Sequence, residues 1–419
     1  MADKFADGLP LRCADDYTTS VDRAGRDVVL LTGSTGSLGC HLLEAMVSSL
    51  SISRVYAFNR QARNGTDLRT RQAAALEERG INPTILDTPK VVLLEGDLTK
   101  KNWGLAAEIY HDLQHSVTHI IHNGIAWPVD WVSKLSAFEP AVKSLRSLID
   151  FALTSPLPIV PRLLFASSIS VLQRAPRDFS VPEGPVDPDF SMTNGYSEAK
   201  WVCEQVLYAA AAQTPLDPVI MRVGQLSGGP AGAWARNEYI PALVQSALHL
   251  GGLPDDPRIV NMLPLDVGAA AVLDCLYAPR TIITTHIVHP RGISWHSIAA
   301  VLSSELGVPL IPFDEWYRRL QTLAASSASK TKSTSGGYRR PRLHALLIIP
   351  VYQHMLATLH TGRMALGFPD EEVSQTLVAS PTLADPALRD VGVADVRRWL
   401  AYWYKVGMLE RPKALQSHL

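Results

Sequence analysis

The sequence predicts an α/β protein in which a doubly wound parallel sheet is followed by a smaller, mostly helical C-terminal lobe. Short apolar runs alternate with helical stretches in the first half of the chain, which is typical of a parallel sheet covered on both faces. A glycine-rich turn follows the first apolar run, and Tyr196 and Lys200 lie four residues apart in a later helical stretch. The alternation and these two motifs together predict the fold.

Six apolar runs are predicted to form the buried strands of this sheet. They are Val28–Leu31, Val55–Phe58, Val91–Leu94, His119–Ile121, Leu163–Ala166 and Val219–Met221. Helices are predicted between most of them, for example over Cys40–Ser49 and Thr70–Arg79. Strands that alternate with helices in this way predict a Rossmann-type arrangement.

The composition changes after Arg222, where Gly and Pro become frequent and helical stretches dominate from Ile240 onward. This change predicts an N-terminal extension (1–26), a Rossmann domain (27–225, rejoined by 264–290) and a substrate-facing lobe (226–263 and 291–419). Within the lobe, the Ser/Lys/Thr-rich stretch Ala324–Gly337 is predicted to be a mobile loop. The final helix, near Ala394–Leu409, has apolar residues at helical spacing and is predicted to pack on the core.

The overall composition argues against several classes of function. The formal charge of −1 gives no indication of binding to nucleic acid or to an anionic membrane. No apolar run reaches the roughly 18 uninterrupted residues of a membrane helix, and residues 1–26 are polar and unlike a signal peptide. The four cysteines are scattered and form no CxxC pair, so we expect free thiols in a cytoplasmic, soluble protein without a metal site.

A dinucleotide site is predicted at the glycine-rich turn. The spacing GxxGxxG of Gly33, Gly36 and Gly39 lets the turn close and lets a pyrophosphate approach the N-terminus of the following helix. A tight strand–helix turn without a ligand is the alternative. The candidate contacts in this turn are Thr32, Gly33, Ser34, Thr35, Gly36, Ser37, Leu38 and Gly39.

The end of the second strand favours NADPH over NADH. NAD sites usually have Asp or Glu there to bind the ribose 2′-hydroxyl, whereas this chain has Asn59 followed by Arg60, with Arg71 nearby. A guanidinium can bind a 2′-phosphate, although these arginines could instead simply face solvent. Later strand ends supply further candidate cofactor contacts, namely Asp97, Leu98, Asn123 and Ala166.

The predicted reacting centre consists of Ser168, Tyr196 and Lys200. The spacing of four places Tyr196 and Lys200 on one helix face, where the ammonium is expected to lower the pKa of the phenol toward neutrality. Tyr196 would then act as a proton donor. Ser168 ends a strand whose carboxyl edge faces the predicted cleft, so its hydroxyl would add a second hydrogen bond to a substrate oxygen.

This order of motifs resembles the extended short-chain dehydrogenase/reductase superfamily. Three segments are more closely similar to the thioester reductase domains of nonribosomal peptide synthetases, polyketide synthases, alpha-aminoadipate reductases and carboxylic acid reductases. They are Phe165–Val171, Gly195–Trp201 and Arg222–Gly228. Further segments fit the fungal-type branch of that group, namely Trp127–Asp130, Asn237–Pro241 and Pro264–Val267.

The resemblance implies a Ser–Tyr–Lys triad of Ser168, Tyr196 and Lys200, with Lys200 holding the nicotinamide ribose. It implies that Val223–Gln225 line the nicotinamide and that Arg60 and Arg71 take the 2′-phosphate. It also implies NADPH-dependent reductive release of an acyl thioester, carried by an acyl-phosphopantetheinyl carrier protein or domain, to an aldehyde or onward to the alcohol. We expect a domain that serves such a carrier to act as a monomer.

Three points remain open on the sequence alone. An extended reductase or epimerase that acts on a free carbonyl or a nucleotide sugar is the main alternative, and a non-catalytic redox-sensing regulator is less consistent with the Tyr–Lys pair. Tyr239, Trp295 and Trp316 could line an acyl pocket, although aromatic residues in a helical lobe more often form core. A basic group, Arg339, Arg340 and Arg342, is a hypothetical contact for an acidic carrier surface.

Overall fold

The computed structural model describes residues 1–12, 27–124, 133–330, 343–359 and 361–410, with the backbone alone for 327–330. The strands are β1 (Asp27–Thr32), β2 (Ile52–Asn59), β3 (Val91–Glu95), β4 (His119–His122), β5 (Arg162–Ser168), β6 (Pro218–Val223), β7 (Leu226–Ser227), β8 (Leu253–Asp255), β9 (Ile259–Val260), β10 (Leu263–Pro264), β11 (Thr284–Ile287), β12 (Ile293–Ser294) and β13 (Leu310–Pro312). The helices are α1 (Ala2–Ala6), α2 (Ser37–Ser48), α3 (Leu68–Glu78), α4 (Ala107–Ser116), α5 (Glu139–Leu153), α6 (Gly195–Gln213), α7 (Tyr239–Leu250), α8 (Leu265–Asp274), α9 (Trp295–Leu306), α10 (Phe313–Lys330), α11 (Ile349–Ala357), α12 (Ser374–Ala379), α13 (Pro381–Ala384) and α14 (Val393–Lys405).

The main sheet has seven parallel strands in the order β11-β6-β5-β4-β1-β2-β3. All six predicted strands are confirmed, each extended by one to four residues at its ends. The sequence analysis did not identify β11 as a strand; it lies beside β6 at the edge of the sheet. The order reverses between β1 and β4, and in such sheets ligands bind in the crevice beyond the carboxyl ends of the strands at that point.

Alternate residues of β1 enter different hydrophobic clusters, which explains why the strand is apolar throughout. Val29 and Leu31 pack with α2 and α8 on one face, whereas Leu30 packs with α5 and α6 on the other. Because both faces of the sheet are covered, each strand needs apolar side chains on both sides. The predicted doubly wound α/β fold is therefore confirmed.

A third hydrophobic cluster is built from the segments after β6. It contains the apolar faces of α7, α9 and α10, together with Trp399 and Trp403 of α14, so the predicted packing of the last helix is confirmed. Trp295 and Trp316 are fully buried in this cluster and are not among the residues that line the main cleft. Their burial separates them from Tyr239, which borders the cleft described below.

The prediction of a loop over Ala324–Gly337 is wrong for residues 324–330, where α10 continues to Lys330. Alanine is the best helix former and recurs in this segment, which compensates for its serines. Residues 331–337 and the arginines at 339, 340 and 342 lie outside the described residues, as does Trp127–Asp130. In the described part of the chain, no helix combines the length and apolar character needed to cross a bilayer.

Candidate active site

The glycine-rich turn connects β1 to α2 and has room only for glycine at two positions. Gly33 has a φ of 72°, and a Cβ there would lie 2.5 Å from the Cα of Gly124. A Cβ on Gly39 would lie 2.1 Å from the carbonyl oxygen of Gly33. Helix α2 begins directly after Gly36, three residues earlier than predicted, so its first backbone N–H groups border the turn. This close-packed cradle at a helix N-terminus fits a pyrophosphate.

The turn is supported by hydrogen bonds among three buried side chains, those of Ser34, Asn59 and Gln72. The Ser34 hydroxyl donates to Gln72 Oε1 at 2.6 Å and accepts from Asn59 Nδ2 at 2.6 Å. Gln72 Nε2 also donates to the Ser34 carbonyl oxygen at 3.0 Å. Among the predicted contacts, Ser34 and Asn59 thus support the shape of the turn with their side chains. Gln72, on α3, was not identified from the sequence because no local pattern marks it.

The turn is also joined to the end of β4. Thr32 Oγ1 lies 2.9 Å from His122 Nδ1 and accepts from the Gly124 backbone N–H at 2.9 Å. Burial, together with the neighbouring Lys200, lowers the pKa of His122 to about 3, so the imidazole is neutral. Asn123 donates to the Gly33 carbonyl oxygen at 3.4 Å. These contacts fix the spacing between the two strands at which the strand order reverses.

The arginines predicted to select the cofactor meet at the end of β2. Arg71 forms an ion pair with Glu95 and donates to the Arg60 carbonyl oxygen at 2.9 Å. Glu95 is the partner of Asn59 in the β2–β3 ladder, so Arg71 neutralises a carboxylate beside the predicted 2′-phosphate position. The Arg60 residue is exposed.

The predicted contacts after β3 have a different environment. Asp97 Oδ1 accepts from the backbone N–H of Thr99 at 2.9 Å and from its hydroxyl at 2.7 Å, which forms a tight turn. Leu98 is buried in the hydrophobic cluster that contains Trp103. Neither residue lines the main cleft.

A cleft of about 400 Å³ opens at the carboxyl edge of the sheet. It brings together residues from the turn, from the ends of β4, β5 and β6, and from α6. The predicted site residues that line it are Ser37, Leu38, Asn123, Ala166, Ser168, Tyr196, Lys200, Val223, Gly224 and Gln225.

Ser168, Tyr196 and Lys200 converge in this cleft. The Tyr196 and Ser168 side chains share a hydrogen bond, and Ser168 Oγ also accepts from the Ser170 backbone N–H at 3.1 Å. Lys200 Nζ donates to the Ala166 carbonyl oxygen and lies 5.8 Å from the centre of the Tyr196 ring. Two hydroxyl groups therefore meet at one point beside a buried amine, which is an arrangement able to polarise and protonate a carbonyl oxygen.

The prediction that the pKa of Tyr196 is lowered toward neutrality is wrong. Burial raises the pKa of Tyr196, its hydrogen bond with Ser168 lowers it only in part, and the carboxylate of Glu238 raises it further. Lys200 is itself buried, and burial lowers its pKa to about 7, which weakens its positive charge near the phenol. The phenol is therefore held in the protonated form that a proton donor requires.

An ion pair beneath the cleft was missed by the sequence analysis. Glu204 on α6 and Arg222 on β6 are fully buried, with a contact of 2.8 Å between Arg222 Nη2 and Glu204 Oε2. Glu204 Oε1 accepts from the hydroxyl of Ser167 at 2.5 Å. The pair thus joins α6 to the strand end that carries Ser168. Glu204 lies four residues after Lys200, and this spacing is the signal that could have identified it.

Comparisons with known proteins place this arrangement in a family. The family model described as "Male sterility protein", an NAD-binding family, matches residues 31–272, which is more than half of the chain. The chain belongs to this family. This male sterility family member is also 41% identical over 392 residues to the adenylate-forming reductase Nps10 of Heterobasidion annosum, covering 93% of the chain and 36% of that relative. It is 34% identical over 431 residues to the adenylate-forming reductase Nps11 of Serpula lacrymans var. lacrymans, covering 96% of the chain and 37% of that relative.

Solved structures support the same fold. The family member matches the terminal R domain of the myxalamid PKS-NRPS biosynthetic pathway with a TM-score of 0.75 and 22% identity, covering 98% of this chain and 99% of that one. It matches the reductase domain of a nonribosomal peptide synthetase from Mycobacterium tuberculosis with a TM-score of 0.70 and 19% identity, covering 97% and 99%. These matches confirm the fold, and the identity to the two adenylate-forming reductases confirms the resemblance to reductase domains. The chain spans little more than a third of the two adenylate-forming reductases.

Proposed function

We propose that this chain is an NADPH-dependent reductase that releases an acyl thioester from the phosphopantetheine arm of a carrier protein as an aldehyde. The observation that carries the proposal is the meeting of the Tyr196 phenol and the Ser168 hydroxyl in a cleft bordered by the glycine-rich turn. Two hydroxyl donors beside a nicotinamide position suit the reduction of a carbonyl group. The names of the curated relatives, which are adenylate-forming reductases and non-reducing polyketide synthases, support this reading.

The residues of the chain have distinct tasks in this mechanism. NADPH, when bound, supplies the hydride that attacks the thioester carbonyl carbon. Tyr196 and Ser168 donate hydrogen bonds to the carbonyl oxygen, and the phenol passes its proton to the developing alkoxide and then regains a proton from solvent. The resulting hemithioacetal loses its thiol when the carbon–sulfur bond breaks, and the thiolate takes up the hydroxyl proton, leaving an aldehyde. In this proposal, Lys200 holds the ribose beside Tyr196.

The preference for NADPH over NADH is part of the proposal. It is supported by Asn59 at the position where NAD sites usually have a carboxylate, by the exposed Arg60, and by the neutralisation of Glu95 by Arg71. We also propose that residues 27–225 and 264–290 form the cofactor domain and that 226–263 and 291–419 form the lobe that shapes the acyl pocket. The pairing of β11 with β6 supports the return of the chain to the cofactor domain.

The deciding experiment measures NADPH consumption with an acyl-pantetheine thioester and, in parallel, with a free aldehyde and a free ketone. We expect thioester-dependent oxidation of NADPH with formation of an aldehyde. Tyr196→Phe should lower kcat by about 10²-fold, with unchanged NADPH binding, because it removes the proton donor and keeps the ring. Turnover of free carbonyls with none of any thioester would exclude the proposed reaction.

A further inference from the structure

A second polar group lies on the wall of the same cleft, formed by Gln225, Trp234 and Glu238. Gln225 follows β6, and Glu238 directly precedes α7, so the group connects the sheet with the C-terminal lobe. Glu238 Oε2 accepts two hydrogen bonds of 2.9 Å, one from Gln225 Nε2 and one from Trp234 Nε1. Gln225 is a cofactor contact predicted from the sequence, whereas Trp234 and Glu238 have no predicted role.

The group is firmly supported from the lobe. Trp234 is buried, and its ring packs edge-on against Trp399 with ring centres 4.8 Å apart. Its backbone carbonyl oxygen accepts from Trp403 Nε1 at 3.0 Å. The Gln225 backbone is fixed as well, because its carbonyl oxygen accepts from the Leu263 N–H at 3.0 Å. Glu238 therefore has a fixed donor on its lobe side and meets the Gln225 amide on the other.

Chemistry determines which way the Gln225 amide points. Its Nε2 donates to the Leu226 carbonyl oxygen at 2.7 Å as well as to Glu238 at 2.9 Å. Both partners are acceptors, so only the NH₂ end of the amide can face them. Both N–H groups are thereby used, and Oε1 accepts no hydrogen bond from the residues that the structure describes. The only hydrogen-bonding atom that the Gln225 side chain can still offer to a ligand in the cleft is therefore the acceptor Oε1.

We propose that Glu238 is a positioning residue that, with Trp234, orients Gln225 so that Gln225 Oε1 accepts a hydrogen bond from an amide N–H of a ligand in the cleft. The inference rests on the proposed function, because that function brings two amide-bearing ligands to this wall. One is the carboxamide of the nicotinamide, and the other is the pantetheine arm of the thioester. The shared chemistry is an amide donor, and the experiment separates the two sources.

The test uses two pairs of probes with the full chain. The first pair is NADPH and its reduced 3-acetylpyridine analogue, in which a methyl group replaces the carboxamide NH₂. The second pair is an acyl-pantetheine and the same acyl thioester of ethanethiol, which lacks amide groups. The measured quantity is the ratio of kcat/KM within each pair for wild type, Gln225→Leu, Glu238→Ala and Glu238→Gln. Thermal unfolding of each variant checks that it folds.

We expect one of the two ratios to fall about tenfold in both Gln225→Leu and Glu238→Ala, which corresponds to the loss of one hydrogen bond. The probe pair whose ratio falls identifies the ligand that donates a hydrogen bond to Gln225 Oε1. Glu238→Gln should retain most of the wild-type ratio, because its side-chain oxygen can still accept from Gln225 and Trp234. If Glu238→Ala does not fold, Glu238→Leu, which also removes the acceptor but fills more of the space, is measured in its place and should show the same fall.

Three results would overturn the inference. The first is that Gln225→Leu leaves both kcat/KM ratios unchanged. The second is that a ratio falls in Gln225→Leu but stays at the wild-type value in a folded Glu238→Ala variant. The third is that the ratio falls in Glu238→Gln by as much as it does in Gln225→Leu. A failure of the proposed function is distinguishable from all three, because the wild-type chain would then show no thioester-dependent NADPH oxidation with either thioester.

Discussion

The substitution Gly39→Ala tests the cofactor cradle most directly. A Cβ at this position would lie 2.1 Å from the Gly33 carbonyl oxygen and 2.8 Å from the Ser34 Cα, and both are backbone atoms. Ordinary contact needs roughly 3.5 Å, so α2 and the turn must separate by more than about 1 Å. A phosphate hydrogen bond of about 2.9 Å would then lengthen to about 4 Å, beyond the range in which it is effective.

The expected loss follows from the number of bonds disturbed. Two charge-assisted hydrogen bonds contribute about 3–6 kcal/mol together, which corresponds to a roughly 10²- to 10⁴-fold weaker Kd for NADPH. The assay is a fluorescence titration of NADPH. Gly392→Ala is the matched control, because its φ is −126° and a Cβ there meets no atom within 4 Å. A Gly39→Ala variant that folds and binds NADPH within about threefold of wild type would refute the reasoning.

Four further predictions concern single side chains. Ser168→Ala should lower kcat by about 10- to 100-fold, because one hydrogen bond to the carbonyl oxygen is lost, whereas Ser168→Thr should keep most of the activity in the same steady-state assay. Arg71→Ala should weaken NADPH binding about tenfold and leave NADH binding nearly unchanged in parallel titrations; an equal loss for both cofactors would contradict a contact with the 2′-phosphate. Glu204→Gln should lower the free energy of unfolding in urea by about 3–5 kcal/mol, because it leaves the buried guanidinium of Arg222 without its charged partner. Burial raises the pKa of Glu371 from 4.5 to about 8, so the folded chain holds this proton more tightly than the unfolded chain, and the free energy of unfolding falls as pH rises between those values. Glu371→Gln should flatten that fall in unfolding titrations, and an unchanged slope would show that Glu371 ionises normally.

Local patterns were sufficient for the strands, the glycine-rich turn and the Tyr–Lys pair. The six strands follow from apolar runs, because strands covered on both faces need apolar residues throughout. The spacing of Gly33, Gly36 and Gly39 follows from the closeness of the turn to α2. Helix periodicity alone places Tyr196 and Lys200 on one face.

Only the tertiary structure decided how these groups act on one another. Whether the pKa of Tyr196 is raised or lowered depends on its burial and on Glu238, which precedes another helix. The ion pair of Arg71 and Glu95 joins α3 to β3, and the Gln225–Glu238 contact joins the sheet to the lobe. Sequence periodicity indicates which face of a helix or strand is apolar. Ion pairs, hydrogen bonds and the burial of titratable groups instead depend on which distant segments meet in the fold. For that reason, the sequence could predict the glycine-rich turn and the Ser168, Tyr196 and Lys200 group, but not the supporting residues Gln72, Glu204 and Glu238, nor the protonation and orientation of the site.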